Sequence, residues 1–277
     1  MILNNVYVSD CVKFMQEMDA GSVDMILTSP PYDDLREYEG IEFNFVDVAK
    51  NMFRVLKDGA VVVWVVSDAT NNGCESGTSF RQALEFMNIG FKLHDTMIYK
   101  KKSFPFPSNV RYLNGFEFMF VFVKGKLKTF NPIKDVRSSS SNHIGKLGGS
   151  RGKDGIIRPF ILRSSTSMYI MRSNVWEYNQ GYMKTTTDKV AYEHPAIFPD
   201  ALAEDHIRSW TNIGDIVFDP FCGSGTTCKI SKKLNRRFLG CDISKKYVEI
   251  AKQRISNTTV MLDDDGFMGN ERYEVDE

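Results

Sequence analysis

The sequence predicts an α/β fold built on a mostly parallel sheet, and two patterns carry this prediction. Apolar runs of strand length alternate with amphipathic stretches over roughly the first 125 residues and again from about residue 193 onward. The run AVVVWVVSD, residues 60–68, is apolar at successive positions, which is typical of a strand at the centre of a parallel sheet. The chain has 277 residues, 42% of them hydrophobic and 25% charged, which fits one domain with an insertion or two small domains.

The first half of the chain contains five predicted strands and three predicted helices. The helical segments spread their apolar residues at a spacing of three to four, whereas the strand segments are rich in Val, Ile and aromatic residues. The second helix is expected to end near Asp58-Gly59 and the third at Gly90, because glycine often terminates a helix. In chain order the segments are strand NVYVS, helix DCVKFMQEM, strand VDMILTS, helix FVDVAKNMFRVLK, strand AVVVWVVSD, helix FRQALEFMNIG and strands FKLHDTMIYK and GFEFMFVFVKG.

The same alternation returns near the C-terminus. The segments are a helix within HPAIFPDALAEDHIRSWT, strand DIVFD, helix TTCKISKKLN, strand RRFLGCD and helix SKKYVEIAKQRIS. Between the two halves, residues 125–190 have weak periodicity, and the Ser-, Gly- and Lys/Arg-rich segment 137–155 resembles a loop. We therefore divide the chain into residues 1–124, an inserted region 125–190, residues 191–260 and an acidic tail 261–277.

Charge is unevenly distributed along the chain. Lys+Arg and Asp+Glu both count 35, so the formal net charge is zero. Roughly 16 of the basic residues but only about 4 of the acidic ones fall between Ile98 and Thr185. A basic block in an otherwise acidic chain indicates a surface that binds a polyanion. The candidate contacts are Arg36, Arg151, Lys153, Arg158 and Arg163.

Several other features bound the class of protein. Five scattered cysteines without a CxxC pair are typical of buried, reduced thiols in a cytosolic protein. No apolar run approaches the roughly 18 residues of a membrane span, and the N-terminus lacks the zones of a signal peptide, so we expect no membrane association. The four histidines show no metal-ligand spacing, and the three tryptophans are expected in the core.

A stiff segment follows the second predicted strand. Ser29-Pro30-Pro31-Tyr32 places a hydroxyl on one side of two prolines and an aromatic ring on the other. The prolines remove two backbone donors and fix two φ angles. Such a segment can hold a carbonyl group in one direction, as a preorganised site requires.

A glycine loop follows the strand DIVFD. Asp219 ends this strand, and Gly223-Ser224-Gly225 precede the next helix. The loop lacks the third glycine of the dinucleotide fingerprint and the GK[ST] of a phosphate loop, so pyrophosphate binding is not expected. Asp219 suits a cation, and Asp242, about 20 residues on, can bind two ribose hydroxyls. A positively charged nucleoside without phosphates, such as S-adenosylmethionine, fits both observations.

The two motifs TSPPY and DPFCGSGTT together resemble those of the DNA amino-methyltransferases, which methylate exocyclic amines of cytosine or adenine. The resemblance covers residues 3–124 and 193–256, with the catalytic motif before the cofactor motif, as in the family's β arrangement. It implies a Rossmann-like methyltransferase sheet, circularly permuted, with an inserted target-recognition region. VSDC stands where the family has GDC, EFMFVFVKG matches a strand that walls the base pocket, and NVWEY and HPAIFP match the segment before the cofactor site. Ser9 is a departure, since glycine is usual there.

The resemblance also implies site residues and partners. Ser29, Pro30, Pro31 and Tyr32 are the implied catalytic segment: Ser29 Oγ and the Pro30 carbonyl accept two amine hydrogens, and Tyr32 stacks on a flipped-out base. Implied partners are double-stranded DNA and a cognate restriction endonuclease, and the chain is expected to be a monomer or homodimer. The implied S-adenosylmethionine residues are Asp10, Thr28, Phe198, Asp219, Pro220, Phe221, Gly223, Ser224, Gly225, Thr226, Thr227 and Asp242.

Three alternatives stay open at this level. Serine at the start of the motif favours the N4 amine of cytosine over the N6 amine of adenine, since many adenine-specific relatives carry aspartate there. Enzymes that methylate RNA or a protein glutamine amide use related loops, but they usually place the cofactor motif first. A DNA-binding module without activity is the non-enzymatic alternative, although every expected catalytic and cofactor side chain is present.

Overall fold

The computed structural model describes residues 1–31, 44–102, 111–138, 147–161 and 169–261. The chain forms two compact units: residues 1–131 with 174–277, and residues 132–173. Tyr32, Arg36, Arg163 and nearly all of the predicted acidic tail lie outside the described residues.

The first unit alternates strands and helices in the predicted way. Its strands are β1 (Asn5–Val8), β2 (Val23–Thr28), β3 (Leu56–Val66), β4 (Thr70–Asn71), β5 (Cys74–Glu75), β6 (Lys92–Lys101), β7 (Phe116–Val123), β12 (Val175–Tyr178), β13 (Ile216–Asp219) and β14 (Arg237–Asp242). Its helices are α1 (Cys11–Gln16), α2 (Phe45–Val55), α3 (Thr78–Ile89), α4 (Asp200–Trp210), α5 (Thr226–Lys233) and α6 (Lys245–Ser256). The second unit supplies β8 (Lys134–Arg137), β9 (Leu147–Arg151), β10 (Ile157–Ile161) and β11 (Tyr169–Met171).

Eight of the described strands form one sheet in the order β1-β14-β13-β2-β3-β7-β6-β12. The neighbours from β1 to β3 are all parallel, β7 runs antiparallel to both β3 and β6, and β12 is parallel to β6. The α/β fold class with a mostly parallel sheet is therefore confirmed. Strands from the two ends of the chain lie side by side at its centre, with Val217 paired with Met25.

The core lies on both faces of the sheet. Every residue from Val61 to Val66 is at most 2% exposed, as expected for a strand apolar on both faces. On one face, Val62 and Trp64 of β3 share a cluster with Met52 of α2 and Phe86 of α3. On the other face, α4 packs against β2 and β3. All three tryptophans are buried, as predicted.

Helix α2 ends earlier than the sequence indicated. It stops at Val55, not near Asp58-Gly59, because Leu56 is extended (φ −72°, ψ 140°) and pairs with Val23 of β2. A register shift follows, and Met25 then pairs with Val61. Tertiary pairing to β2 thus ends the helix before the glycine does.

The described strands of the second unit form two separate antiparallel ribbons, β8 with β11 and β9 with β10. Strand β9 lies in the segment 137–155 that was expected to be a loop, which is a correction. The unit is also narrower than the predicted inserted region 125–190: β12, at residues 175–178, belongs to the edge of the large sheet. Among its described side chains, Ile133 and Ser138 are buried and most others are exposed.

The thiols follow the predicted pattern with one exception. Cys11, Cys222, Cys228 and Cys241 are buried and free, but Cys74 on β5 is exposed, so its predicted burial is wrong. Burial, helped by the Asp10 charge, raises the pKa of Cys11 to about 12. In the described part of the chain we find no helix that combines the length and apolarity needed to cross a bilayer.

Candidate active site

The parallel strands bring four predicted site residues to one edge of the sheet. Asp219 and Asp242 are the last residues of β13 and β14, Ser29 follows β2, and Asp10 comes two residues after β1. Because these four strands are parallel neighbours, their carboxyl ends meet at the same edge. Residues separated by more than 200 positions in the chain are thus adjacent in the fold.

Asp219 is the most buried of these carboxylates. It is 1% exposed and accepts hydrogen bonds from Thr28 Oγ1 (2.6 Å) and from the Phe221 backbone N–H (3.1 Å). Burial raises the pKa of Asp219 to about 6, although hydrogen bonds from Thr28, Thr227 and Phe221 act to lower it. An ionised carboxylate in such a place is costly unless a positive charge approaches it.

Asp242 supports the glycine loop through backbone groups. Its Oδ2 accepts the Gly223 N–H (3.0 Å), and its Oδ1 accepts the Ser244 N–H (2.8 Å). A carboxylate offers about four lone-pair positions and can accept from several donors at once. The predicted ribose-binding residue is thus also a support of the loop.

The loop itself requires its two glycines. Gly223 has φ +48° and Gly225 has φ +79°, in the region that glycine adopts without strain. A Cβ on Gly223 would lie 2.8 Å from His194 Nε2, and one on Gly225 would lie 2.6 Å from Ala251 Cβ. The His194 ring packs on Tyr247 at 4.3 Å. A side chain at Gly223 would therefore collide with the His194 ring, so glycine is required there both for its positive φ and for this close approach.

The remaining predicted cofactor residues surround this loop. Pro220 is buried, Phe221 is half-buried with its ring 6.4 Å from that of Trp64, and Phe198 is half-buried just before α4. Thr227 Oγ1 donates to the Leu27 carbonyl of β2 (3.1 Å). Asp10 caps α1, since its Oδ1 accepts the Lys13 N–H (3.0 Å).

The first residues of the proline motif are held in place by burial and by a hydrogen bond. Thr28 is fully buried and bonded to Asp219, Ser29 and Pro31 are half-buried, and Pro30 is buried. The hydrogen bond from Thr28 thus connects the start of this motif to Asp219, which precedes the glycine loop. The aromatic residue of the motif, Tyr32, lies outside the described residues.

A cleft of about 760 Å³ opens at the same edge of the sheet. Its lining comes from the residues after β3 and from the start of β7, which pairs with β3 at Val66 and Phe118. The strand β3 lies next to β2 and β7 lies next to β3, so the strand ends that carry part of this lining are one and two strand spacings from β2, roughly 5 and 10 Å. The lining residues are Ser67, Asp68, Glu75, Arg111, Tyr112, Leu113, Asn114, Phe116, Glu117 and Phe118.

The predicted DNA-contact residues of the second unit divide into two kinds. Arg158 forms an ion pair with Asp154 (2.6 Å). Within the described residues, Arg151 and Lys153 have no ion-pair partner. In the β9–β10 ribbon, Arg151 pairs with Ile157 and Ser150 pairs with Arg158, which puts Arg151 and Arg158 on opposite faces. Arg151 and Arg158 therefore do not share one face of the ribbon.

Sequence reasoning missed a buried charge network behind the glycine loop. Arg254 of α6 is 2% exposed, and it contacts Asp188, Asp200 and the loop residue Ser224. Lys229 of α5 binds the same two aspartates, each at 2.7 Å. A signal was present: Arg254 follows Ile250 by four positions and Ala251 by three, so it lies on the apolar stripe of its helix.

Comparisons with known proteins agree with this arrangement. The family described as DNA methylase, which covers N6 and N4 enzymes, matches residues 23–253. The orphan methyltransferase M.BamHII of Bacillus amyloliquefaciens is 50% identical over 243 residues, covering 87% of this chain and 91% of that protein. The type II methyltransferase M.BglII of Bacillus subtilis is 27% identical over 263 residues, covering 92% and 69%.

Solved structures share the fold. The PvuII DNA methyltransferase, described as cytosine-N4-specific, superposes with a TM-score of 0.65 at 19% identity and covers 95% of this chain and 87% of its own. The M1.HpyAVI complex with S-adenosylmethionine has a TM-score of 0.59 at 26% identity and covers 91% and 98%. Both alignments span nearly the whole chain.

Proposed function

The chain belongs to the DNA methylase family of N6 and N4 amino-methyltransferases, and from this premise we propose that it methylates the N4 amine of cytosine. Enzymes of this family use S-adenosylmethionine and act on DNA at specific sequences. The reaction class, DNA amino-methylation, thus comes from family membership. The choice of base and the role of each residue are our proposal.

One observation carries the assignment of roles: the 2.6 Å hydrogen bond from Thr28 to Asp219. Thr28 immediately precedes Ser29, and Asp219 immediately precedes the segment that leads to the glycine loop. A buried, charge-assisted hydrogen bond of this length restricts both segments. Ser29, which would bind the amine, and the glycine loop, which would bind the methyl donor, are therefore held in fixed relative positions before either ligand binds.

The residues present fit a cationic nucleoside. Asp219 supplies a buried negative charge, Asp242 places a half-buried carboxylate at the end of β14, and glycines at 223 and 225 keep the loop free of side chains at those two positions. S-adenosylmethionine supplies the methyl group. Asp242 would bind its ribose hydroxyls, Asp10 its adenine amine, and Asp219 its positively charged part. Thr28, Phe198, Pro220, Phe221, Ser224, Gly225, Thr226 and Thr227 would complete the walls of this site.

Ser29 and Pro30 would activate the base. An aromatic amine is a weak nucleophile because its lone pair is delocalised into the ring. When Ser29 Oγ and the Pro30 carbonyl each accept one amine hydrogen, the nitrogen can pyramidalise and localise that lone pair. Pro30 and Pro31 fix the direction of the carbonyl, so little reorganisation is needed during the reaction. Tyr32 would stack on the base, which contributes about 1–3 kcal/mol in comparable cases.

The cleft beside the motif would receive the flipped-out base. Its lining includes Phe116, Glu117 and Phe118 of β7, the strand expected to wall the base pocket. Extrusion of a base costs a few kcal/mol, and contacts in the cleft would offset that cost. Arg151 and Lys153 would bind phosphates most directly, whereas Arg158 must first release Asp154. Arg36 and Arg163 remain predicted contacts.

Mass spectrometry of nucleosides tests the choice of base. DNA from cells that express this protein should contain N4-methylcytosine, and DNA from cells without it should lack that nucleoside. N6-methyl-2′-deoxyadenosine alone would support the second candidate, because both amines offer two hydrogens to the same acceptors. 5-Methylcytosine would contradict the mechanism, since carbon methylation needs a cysteine nucleophile that TSPPY does not contain.

A further inference from the structure

Arg254 joins the glycine loop, about 30 positions away in the chain, to a segment that lies 54 to 66 positions away. Its Nη1 donates to the Ser224 carbonyl (2.8 Å), to Ser224 Oγ (3.0 Å) and to Thr226 Oγ1 (3.1 Å). Its Nε donates to Asp188 (2.9 Å), and its Nη2 donates to Asp200 (3.2 Å). A single buried guanidinium thus binds the loop on one side and the segment before α4 on the other.

The charges around Arg254 are balanced. Arg254 and Lys229 are the cations, and Asp188 and Asp200 are the anions. Burial alone would raise the pKa of Asp188, but Lys229 and Arg254 outweigh it and hold that pKa below its usual value. Removing one member would leave a partly buried charge without compensation, which is costly.

The contact between Arg254 and Ser224 matters because of where Ser224 lies in the glycine loop. Ser224 stands between Gly223 and Gly225, which both have positive φ. Because glycine has no Cβ, these two residues lose much conformational freedom on folding. Apart from backbone hydrogen bonds and the contact of the Gly223 N–H with Asp242, the bonds from Arg254 to Ser224 and Thr226 fix the loop through its side chains. The planar fork of arginine can hold several acceptors in a fixed geometry, which the point charge of lysine cannot do.

We propose that Arg254 is a positioning residue for the cofactor site: it holds Ser224 so that the Gly223 N–H meets Asp242. It also ties this loop to Asp188 and Asp200, which bracket the segment that carries Phe198. Arg254 itself does not touch the cofactor. This inference rests on the proposed role of the glycine loop in binding S-adenosylmethionine.

A charge-balanced pair of substitutions separates positioning from folding. Arg254→Gln alone should lower both the melting temperature and the affinity for S-adenosylmethionine. Adding Asp188→Asn removes one charge of each sign, so the melting temperature should return most of the way to the wild-type value. The affinity should stay weaker by about tenfold or more, because Ser224 is still without its charged donor.

Calorimetric titration with S-adenosylmethionine is the measurement, with thermal unfolding in parallel. Lys252→Gln is the control, since Lys252 is an exposed cation on the same helix and should change neither quantity. In steady-state assays, the KM for S-adenosylmethionine should rise while kcat at saturation and the KM for DNA change less than threefold. Arg254→Lys should bind more weakly than the wild type despite keeping the charge.

Two outcomes would overturn the inference. One is recovery of both affinity and melting temperature in Asp188→Asn/Arg254→Gln. The other is wild-type affinity for S-adenosylmethionine in a folded Arg254→Lys variant. This second result tests the inference even if the Asp188→Asn/Arg254→Gln variant does not fold. A wild-type protein that fails to bind S-adenosylmethionine would instead refute the proposed function, and this inference with it.

Discussion

The two units of the chain differ in what holds them together. The first buries an almost continuous apolar layer on both faces of an eight-stranded sheet, and it contains all the residues assigned to the cofactor and the amine. The second contains two short ribbons, and most of its described side chains are exposed. On the proposed assignment, the chemistry that needs fixed distances lies in the packed unit, whereas the basic ribbon residues would need only to reach a charged partner.

This difference makes the effects of substitutions separable. Changes at the edge of the large sheet should alter turnover or cofactor affinity, and changes in the ribbons should alter only DNA binding. A ribbon substitution that weakens cofactor binding, or a sheet-edge substitution that weakens only DNA binding, would show that the two units share one function.

Ser29→Ala should have the largest effect. Loss of one acceptor for the amine acts mainly in the transition state, so kcat should fall by about 10²–10³. Affinity for S-adenosylmethionine should stay within a factor of two, because Thr28 and Asp219 remain in place. Single-turnover kinetics and calorimetry provide the two numbers, and an unchanged rate would remove Ser29 from the mechanism.

Asp242→Asn should weaken cofactor binding by about 10-fold to 100-fold. The amide keeps the size of the side chain but loses one of the two acceptors that hold the Gly223 and Ser244 N–H groups and would bind ribose. Asp58→Asn is a matched control, because the Asp58 side chain is 81% exposed and distant in sequence from the motif. Equal affinities for the two variants would be inconsistent with a ribose-binding role.

Substitutions in the second unit should affect DNA alone. The pair Arg151→Gln/Lys153→Gln should weaken DNA binding by about tenfold and reduce the slope of log K against log salt by about 1.8. Arg158→Gln should have a smaller effect, since that arginine is already paired with Asp154. Fluorescence anisotropy over a range of salt concentrations measures both. Loss of cofactor affinity in the pair would contradict the separation of roles.

The buried Asp219 should give a pH dependence. Because burial raises its pKa from 3.8 to about 6, its proton stabilises the folded protein below pH 3.8, and this contribution is lost as the pH rises through about 6. A cationic ligand favours the ionised form, so affinity for S-adenosylmethionine should rise up to about tenfold between pH 5 and pH 7.

Asp219→Asn is the test of this dependence. The amide oxygen can still accept from Thr28 and Phe221, and the amide carries no charge at any of these pH values. The variant should therefore melt at a higher temperature than the wild type at pH 8 and bind the cofactor with little pH dependence. A wild-type affinity that is flat between pH 5 and pH 7 would place the cationic part of the ligand away from Asp219.

Much of the first unit could be predicted from the sequence because its signals are local. The run at 61–66 and the glycines at 223 and 225 each act within a few residues, and Asp219 and Asp242 are positioned by the strands that they end. The early end of α2 at Val55 could not be predicted, since it depends on pairing between Leu56 and Val23.

The remaining features depend on contacts distant in the chain. Arg254 reaches Asp188, 66 positions away, and no local pattern pairs those two residues. The ribbon β9–β10 joins segments with weak β propensity, including two glycines and a proline, so the sequence indicated a loop. The opposite orientation of Arg151 and Arg158 follows only from that pairing.

The central claim is that this chain transfers a methyl group to an exocyclic amine of DNA. Incubating purified protein with S-adenosylmethionine labelled in its methyl group and with unmethylated genomic DNA, RNA or a protein extract tests it directly. We expect the label in DNA alone, on the N4 atom of cytosine, when the nucleosides are separated by mass. Label on RNA, on protein or on a ring carbon of a DNA base would contradict the claim.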